Sequence, residues 1–222
     1  FQNTWAITTR MIGIMVAVHG DDKGLIIPPK LAENKAVIVP ILFEDSKEKV
    51  LKFCKDLTKK LEEFNPILDD RDEYTPGWKF NEWELKGIPL RIEIGPRDIK
   101  ENKVIVVRRD TLKKDNVSLS NLNKFIQKTL DDIHSNLYKR AENLLKNSIV
   151  NVTNFEQFKE TIDNKKIAYV SWCEKVDCEN KIKEKTGTKA LNIPFKQPDL
   201  KSKKCVFCND KAKLMLYFGK SY

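Results

Sequence analysis

Four of the five cysteines in this 222-residue chain fall into two close pairs near its C-terminus, and that spacing constrains the tail more than any other feature. Cys173 and Cys178 have four residues between them, Cys205 and Cys208 have two, and 26 residues separate the pairs. A close pair offers two soft thiolate ligands from one turn, and two pairs complete the tetrahedron that zinc prefers. The other reading is four free thiols, some buried as small hydrophobes. Four thiolates leave no position for water, so the expected role is to hold a fold rather than to do chemistry. A tail of roughly 75 residues has a marginal core, and a metal cross-link would help it. The fifth cysteine, Cys54, sits inside a helical pattern. An odd count with four cysteines clustered suits a reducing, cytoplasmic compartment better than a disulfide framework.

Ahead of the tail the pattern alternates. Ala36 to Phe43 is a short continuous apolar run, as expected of a strand buried on both faces. Val50, Cys54, Leu57, Leu61 and Phe64 then recur at three- and four-residue steps, giving a helix with one apolar face, capped by Asp45 or Ser46. Pro76 and Gly77 open a short helix through Glu84. Ile88, Leu90, Ile92 and Ile94 alternate with Pro89, Arg91 and Glu93, which is strand periodicity, and Val104 to Val107 forms another strand. A long helix runs from about Ser120 to Lys146 with the stripe Leu122, Ile126, Ile133, Leu137, Ala141 and Leu144. Strands alternating with helices imply an α/β domain with a largely parallel or mixed sheet. At the start, residues 4–7 read as a strand and Thr8 to Val18 as an apolar helix, and Pro28-Pro29 ends that unit. In the tail, Thr153 or Asn154 caps a helix before the strand Ile167 to Trp172, and Lys213 to Phe218 reads as the last strand. The apolar run Met11 to Val18 is far short of the roughly 20 residues a membrane helix needs, and no basic region precedes it, so neither signal peptide nor anchor is expected. With Phe1 in first place, the chain is expected to start inside a longer protein. The net charge of +9 suggests a polyanionic partner, nucleic acid first, or solubility alone.

Three stretches resemble proline–tRNA ligases of the archaeal and eukaryotic type. The first, Phe1-Gln2-Asn3-Thr4-Trp5-Ala6-Ile7-Thr8-Thr9-Arg10, resembles the strand-to-helix motif 3 of class II synthetases. The second runs from Pro76-Gly77-Trp78-Lys79-Phe80-Asn81-Glu82-Trp83-Glu84 through Gly95-Pro96-Arg97-Asp98, and the third is the cysteine-bearing tail ending in Phe218-Gly219-Lys220-Ser221-Tyr222. The resemblance implies three parts: residues 1–32 as the end of a class II catalytic domain, 33–147 as an anticodon-binding domain with a mixed sheet flanked by helices, and 148–222 as a small α+β zinc-binding domain. It implies a homodimeric, cytoplasmic enzyme that activates L-proline with ATP and magnesium and transfers it to tRNA(Pro). Motifs 1 and 2 are not in this stretch, which alone is expected to be inactive. The competing class is a non-catalytic tRNA-binding or regulatory module derived from a synthetase.

By the same resemblance Arg10 meets ATP and Thr8 lines the nucleotide and proline pocket. A guanidinium stays charged and binds phosphate oxygens, although a solvent-facing helix start is the plain reading of a lone arginine. Ala6 stands where the family usually has glycine, which would crowd the pocket slightly. Anticodon contacts carry over to Phe80, Glu84, Arg97 and Asp98, then to Arg108 and Lys113. Phe80 offers a stacking face, or packs beneath Trp83. Glu84 and Asp98 can accept from guanine, or serve as a solvated helix charge and a turn-holder. Trp78 and Trp83 read as packing residues. Arg108, Arg109, Lys113 and Lys114 read as a phosphate-facing basic group. Tyr222 and its carboxylate are expected to reach toward the active site, or to fray. His19 and His134 read as structural.

Overall fold

The computed structural model describes residues 4–220. The chain divides into two compact units, Phe1–Ala141 and Glu142–Tyr222. Phe1 to Asn3 of the motif 3 stretch, and Ser221 and Tyr222 with the expected carboxylate contact, lie outside the described residues.

The first unit opens without the strand expected at residues 4–7. Trp5 and Ile7 are 94% and 92% exposed there, and no strand among the described residues lies alongside to pair with them. An isolated strand leaves its backbone groups unpaired, so the segment stays irregular. Helix α1 (Arg10–His19) follows and buries no residue. The sheet is built from β1 (Ala36–Pro40), then, after helix α2 (Lys47–Lys60), β2 (Ile67–Leu68), then helix α3 (Pro76–Lys86) and β3 (Leu90–Ile94). A short α4 (Pro96–Lys100), β4 (Lys103–Arg108), β5 (Lys114–Ser118) and the long α5 (Leu122–Ser148) complete it. The strand order is β2-β1-β3-β4-β5. β1 runs parallel to both β2 and β3, while β4 and β5 are antiparallel additions. Every residue of β1 and of β3 is buried, as befits strands in the middle of a covered sheet.

One face of this sheet packs Ile38, Leu90, Ile92, Val104 and Val106 against the apolar stripes of α2 and α5. The α5 stripe is buried at Leu122, Ile126, Leu130, Ile133 and Leu137, but Leu144, expected to continue it, is 55% exposed. At about 1.5 Å per residue α5 is about 40 Å long, so its last turns outrun the sheet they would cover. Ser46 precedes α2 but makes no capping bond; its hydroxyl donates to the Phe43 carbonyl instead, correcting the expected cap. Cys54 is buried in this core, where desolvation pushes its thiol up to about 12 and leaves it inert.

The opposite face carries α3, seated on Val37, Val39 and Ile88 through Phe80 and Trp83. Its ends are well specified. The Thr75 hydroxyl accepts from the Trp78 N–H, Pro76 stands in the first turn, and Gly87 closes the helix at φ 75°. A Cβ on Gly87 would also meet the Leu25 backbone at 2.6 Å. Gly87→Ala is therefore expected to cost more than the ~1–2 kcal/mol of a left-handed non-glycine residue alone. Urea denaturation checks this; a loss below about 1 kcal/mol would contradict it.

The second unit holds β6 (Ile149–Val152), α6 (Phe155–Asp163), β7 (Ile167–Trp172), α7 (Val176–Thr186), β8 (Lys189–Asn192) and β9 (Leu214–Gly219). Its sheet has the order β6-β7-β9-β8, with β6 parallel to β7 and the other pairs antiparallel. Asn154 caps α6, its side chain accepting from the Gln157 N–H at 3.0 Å. The core joins Phe158, Ile162, Val170, Trp172, Ile182 and Phe218 to the cysteine group.

Candidate nucleic-acid interface and metal centre

The sequence-predicted RNA contacts separate into three places. The first lies under α3. Arg91 on β3 is 6% exposed, and its guanidinium carbon stands 4.2 Å from the centre of the Phe80 ring. Its Nη1 donates to Glu84 Oε1 at 2.8 Å, while Nε and Nη2 reach Glu93 Oε1 at 3.1 and 3.0 Å. Lys114 on β5 approaches Glu93 at 3.4 Å. Burial works to raise the Glu84 pKa, but the bonds from Arg91 and Lys23 outweigh it and hold the carboxyl below its ordinary value. Phe80 thus packs in the α3 face beside Trp83 and also carries a cation on its ring. The sequence reading missed Arg91, Glu93 and Lys114 as members of this group. The signal was present: charges at alternate positions of a strand flanked by fully apolar neighbours have to be paired internally.

The second place is a cleft of about 950 Å³ lined by residues that include Ile41, Phe43, Lys49, Gly95, Arg97 and Asp98. It opens just past the carboxyl ends of the parallel strands β1 and β3, where the chain leaves one strand toward β2 and the other toward β4. Open α/β sheets place ligands at such a point. Asp98 Oδ2 accepts from the Gly95 N–H at 2.7 Å, so one oxygen holds the turn, and Oδ1 accepts nothing among the described residues. Lys49, Arg97 and Lys100 have no carboxylate partner among the described residues, and Phe43 is 61% exposed beside them.

The third place holds Arg108 and Lys113. Arg108 makes a two-pronged pair with Asp110 at 2.8 and 2.9 Å, and Lys113 pairs with Asp115 at 3.0 Å. The expected phosphate-facing basic group is charge-paired throughout. Arg109 is 3% exposed and bonded to Asp21, and Arg108, Lys113 and Lys114 each have an acidic partner. The acidic residues Asp110 and Asp115, close in sequence, neutralise what the basic run suggested. Trp83 is a packing residue whose indole N–H donates to Asp69 Oδ2 at 2.7 Å. Trp78 is 45% exposed and stacks on Tyr74 with ring centres 3.9 Å apart. Thr8 and Arg10 are exposed at the start of α1, and Arg10 makes no ion pair among the described residues.

In the second unit Cys173 directly follows β7, Cys178 sits in the first turn of α7, and Cys205 and Cys208 lie on the loop before β9. Their four sulfurs lie within 4.8 Å of one another, with Cys178 to Cys205 and Cys173 to Cys208 each 3.6 Å apart. A zinc with bonds of about 2.3 Å to four tetrahedral sulfurs sets neighbouring sulfurs roughly 3.8 Å apart, so the four residues fit such an ion. Burial and the neighbouring Cys205 sulfur push the Cys178 thiol far up. Burial acts the same way on Cys205, but backbone N–H groups of Cys208, Phe207 and Cys173 outweigh it and hold that thiol below its ordinary value. Crowded thiols that repel each other's charge, with N–H donors already aimed at one sulfur, can hold a metal cation.

Comparison with known proteins defines the class. Residues 35–129 match the model of the anticodon-binding domain, and residues 155–222 match that of the C-terminal domain of prolyl-tRNA synthetase. The whole chain is 43% identical to a proline–tRNA ligase of Alkaliphilus oremlandii and 42% identical to proline–tRNA ligase 2 of Bacillus cereus, covering 46% of each relative's length. It is 44% identical, over 99% of its length, to 45% of a proline–tRNA ligase of Clostridium botulinum. The chain belongs to the proline–tRNA ligase family and corresponds to the C-terminal part of those enzymes. It spans less than half the length of the relatives, all three of them bacterial.

Proposed function

We propose that the protein containing this chain activates L-proline with ATP and magnesium and transfers it to tRNA(Pro), and that this portion reads the anticodon. Within it, residues 1–32 supply the motif 3 contacts through Thr8 and Arg10, residues 33–147 read RNA, and residues 148–222 form a domain held by one zinc on Cys173, Cys178, Cys205 and Cys208. Bound zinc would act as a structural cross-link, since all four positions are filled by thiolate. The apolar face that α1 leaves bare is consistent with a catalytic domain covering it, and dimer formation and the Tyr222 contact would belong to that full enzyme. A cytoplasmic setting fits the free thiols.

The observation that carries RNA reading is the cleft in which Arg97, unpaired among the described residues, stands beside a half-engaged Asp98 and the exposed Phe43 ring. Single-stranded bases are bound by stacking and by hydrogen bonds to their edges, and a ring, a carboxylate oxygen and a guanidinium supply both. Phe80 and Glu84 offer a second reading point under α3, while Arg108 and Lys113 contribute only after giving up a carboxylate. The test is a titration with a tRNA(Pro) transcript and an anticodon-changed copy at fixed, moderate salt. The unsubstituted chain is expected to prefer the proline anticodon. Arg97→Ala is expected to weaken the cognate RNA by about 1–3 kcal/mol while barely affecting the changed copy. Equal losses on both would reduce Arg97 to a backbone contact.

A further inference from the structure

We infer that the second unit carries an RNA contact of its own, in which Phe195 stacks on a base and Lys196, Lys203, Lys204 and Lys211 meet phosphates. The inference rests on the reading of this chain as RNA-binding. The excess positive charge lies mostly in this unit. Residues 142–222 hold 16 lysines, no arginine and 10 acidic residues, whereas residues 1–141 hold 25 basic and 22 acidic residues. Lysine is a compact point charge that suits phosphate oxygens, while the forked donors of arginine suit base edges. The cations of the second unit are thus of the kind that holds a backbone without reading its sequence. Pairing does not cancel them: Lys196, Lys203, Lys204 and Lys211 have no carboxylate partner among the described residues.

Two neighbouring pieces of chain bring these residues together. The first is the hairpin that carries Cys205 and Cys208. Residues 201–213 include five lysines and one aspartate. Lys204 and Lys211 are both exposed and face each other across the hairpin in an isolated antiparallel bridge. Like charges directly opposite one another on paired strands are destabilising. Asp210, the one acidic residue of the hairpin, is spent on Lys175 at 2.6 Å, and Glu174 answers Lys213 at 3.4 Å. The lysines beside Cys173 and Cys178 are therefore matched, and the Lys204–Lys211 pair is left unbalanced. Such a breach of a local rule, with no compensating contact in the fold, is expected at functional places. A phosphate between the two ammonium groups removes the repulsion. The second piece is the loop that precedes the hairpin, which Gln197 pins to β9. Its Oε1 accepts from the Met215 N–H at 2.7 Å, and its Nε2 donates to the Met215 carbonyl at 3.1 Å and to the Pro194 carbonyl at 2.8 Å. Lys203 of the hairpin reaches the same residue, its Nζ 3.7 Å from Met215 Sδ, so loop and hairpin meet there. Between Pro194 and Gln197 stands Phe195, which is 108% exposed. A lone exposed ring is ordinary. A ring on a loop fixed by three hydrogen bonds, beside unpaired lysines, has the composition of a surface where rings stack on bases and cations follow the backbone.

The experiment titrates the full chain with the tRNA(Pro) transcript and the anticodon-changed copy at several salt concentrations, beside inorganic polyphosphate, which has charge and no bases. Lys204→Gln combined with Lys211→Gln is expected to weaken both RNAs to the same degree and to flatten the slope of log affinity against log salt by about 2. Phe195→Ala is expected to weaken both RNAs about fivefold or more and to leave polyphosphate unaffected. Neither variant is expected to alter the preference for the proline anticodon, which is what Arg97→Ala removes. All three side chains are exposed, and a urea midpoint no lower than that of the unsubstituted chain confirms that the variants fold. RNA affinity and salt slope that are unchanged in the lysine variant overturn the contact. So does a Phe195→Ala variant that binds RNA as tightly as the unsubstituted chain, or one that loses polyphosphate as much as RNA. A loss confined to the cognate RNA overturns it too, since these residues would then belong to anticodon reading. If the unsubstituted chain binds both RNAs equally and the variants still weaken both, the anticodon reading fails and this contact stands. A chain that binds neither RNA overturns both.

Discussion

The purified chain is expected to carry one zinc, and stripping it is expected to melt residues 142–222 while leaving residues 1–141 folded. The reason lies in where the cysteines sit. Cys173, Cys178 and Cys205 are buried within the apolar cluster of the second unit, between Trp172, Ile182 and Val206, so the site is part of the core rather than a surface clip. Removing the ion leaves four sulfurs within 4.8 Å that can relieve their crowding only by protonation or by moving apart. Apparent binding free energies for structural zinc are about 10–16 kcal/mol in small domains, comparable with the whole stability of a unit this size, about 5–15 kcal/mol. Cys178→Ser, which removes the ligand on α7, is expected to act like the chelator. Metal analysis with hydrogen exchange on both units reads the outcome. A chain with no metal, four freely titrating thiols and an intact second unit would sink the proposal.

Charge illustrates how far composition can be carried. The net charge of +9 pointed to a polyanion, and the consecutive Arg108-Arg109 with Lys113-Lys114 looked like its landing surface. In the folded chain every one of those four has an acidic partner, and one is buried. The cations left without a partner in the cleft among the described residues are Lys49, Arg97 and Lys100, which are scattered in sequence and gathered only by the return of α4 beside α2. Excess positive charge suggests the class of partner; pairing decides where that partner is met.

The same distinction runs through the fold. Ala36 to Pro40 and the Val50-Cys54-Leu57 stripe were readable because burial on two faces and on one face leave different periods. β5 was not readable: Lys114 to Ser118 is polar at most positions, being held by its ladder to β4 and by Val117 alone in the core. α7 was equally silent, since only Cys178 and Ile182 are buried on its inner face, one turn apart. The cysteine cluster was legible from spacing alone, because its members come in local pairs. The Asp21–Arg109 pair was not, because its members stand 88 residues apart and each is an ordinary charged residue until the chain folds.

Arg91→Leu is expected to destabilise the first unit by about 3–5 kcal/mol, the usual consequence of leaving buried charge without its partner. Glu93 and Glu84 have side chains 4% and 14% exposed, and Arg91 is the cation between them. Lys114 and Lys23 remain, but both are more than half exposed and approach at 3.3–3.4 Å, so they replace little of the loss. The deficit is expected to narrow as pH falls. Glu84 is held below its ordinary value in the folded state, so its contribution is fully present above the unfolded value of about 4.3 and fades as pH drops through the lower folded value. The variant, having lost the stronger of the two partners, has less to lose. Arg91→Leu combined with Glu93→Leu is expected to recover much of the stability, because exchanging a buried pair for apolar side chains of similar volume is often near neutral. It should not recover cognate RNA preference, since Glu84 would then lack the guanidinium that orients it and Phe80 the cation on its ring. Urea denaturation at pH 7 and at about pH 3, below the unfolded value, with the two-RNA titration on the double variant, separates the two roles. A single variant within about 1 kcal/mol of the unsubstituted chain at pH 7 would show that Arg91 is not what balances these carboxylates. A stable double variant that still prefers the proline anticodon would confine Arg91 to the fold.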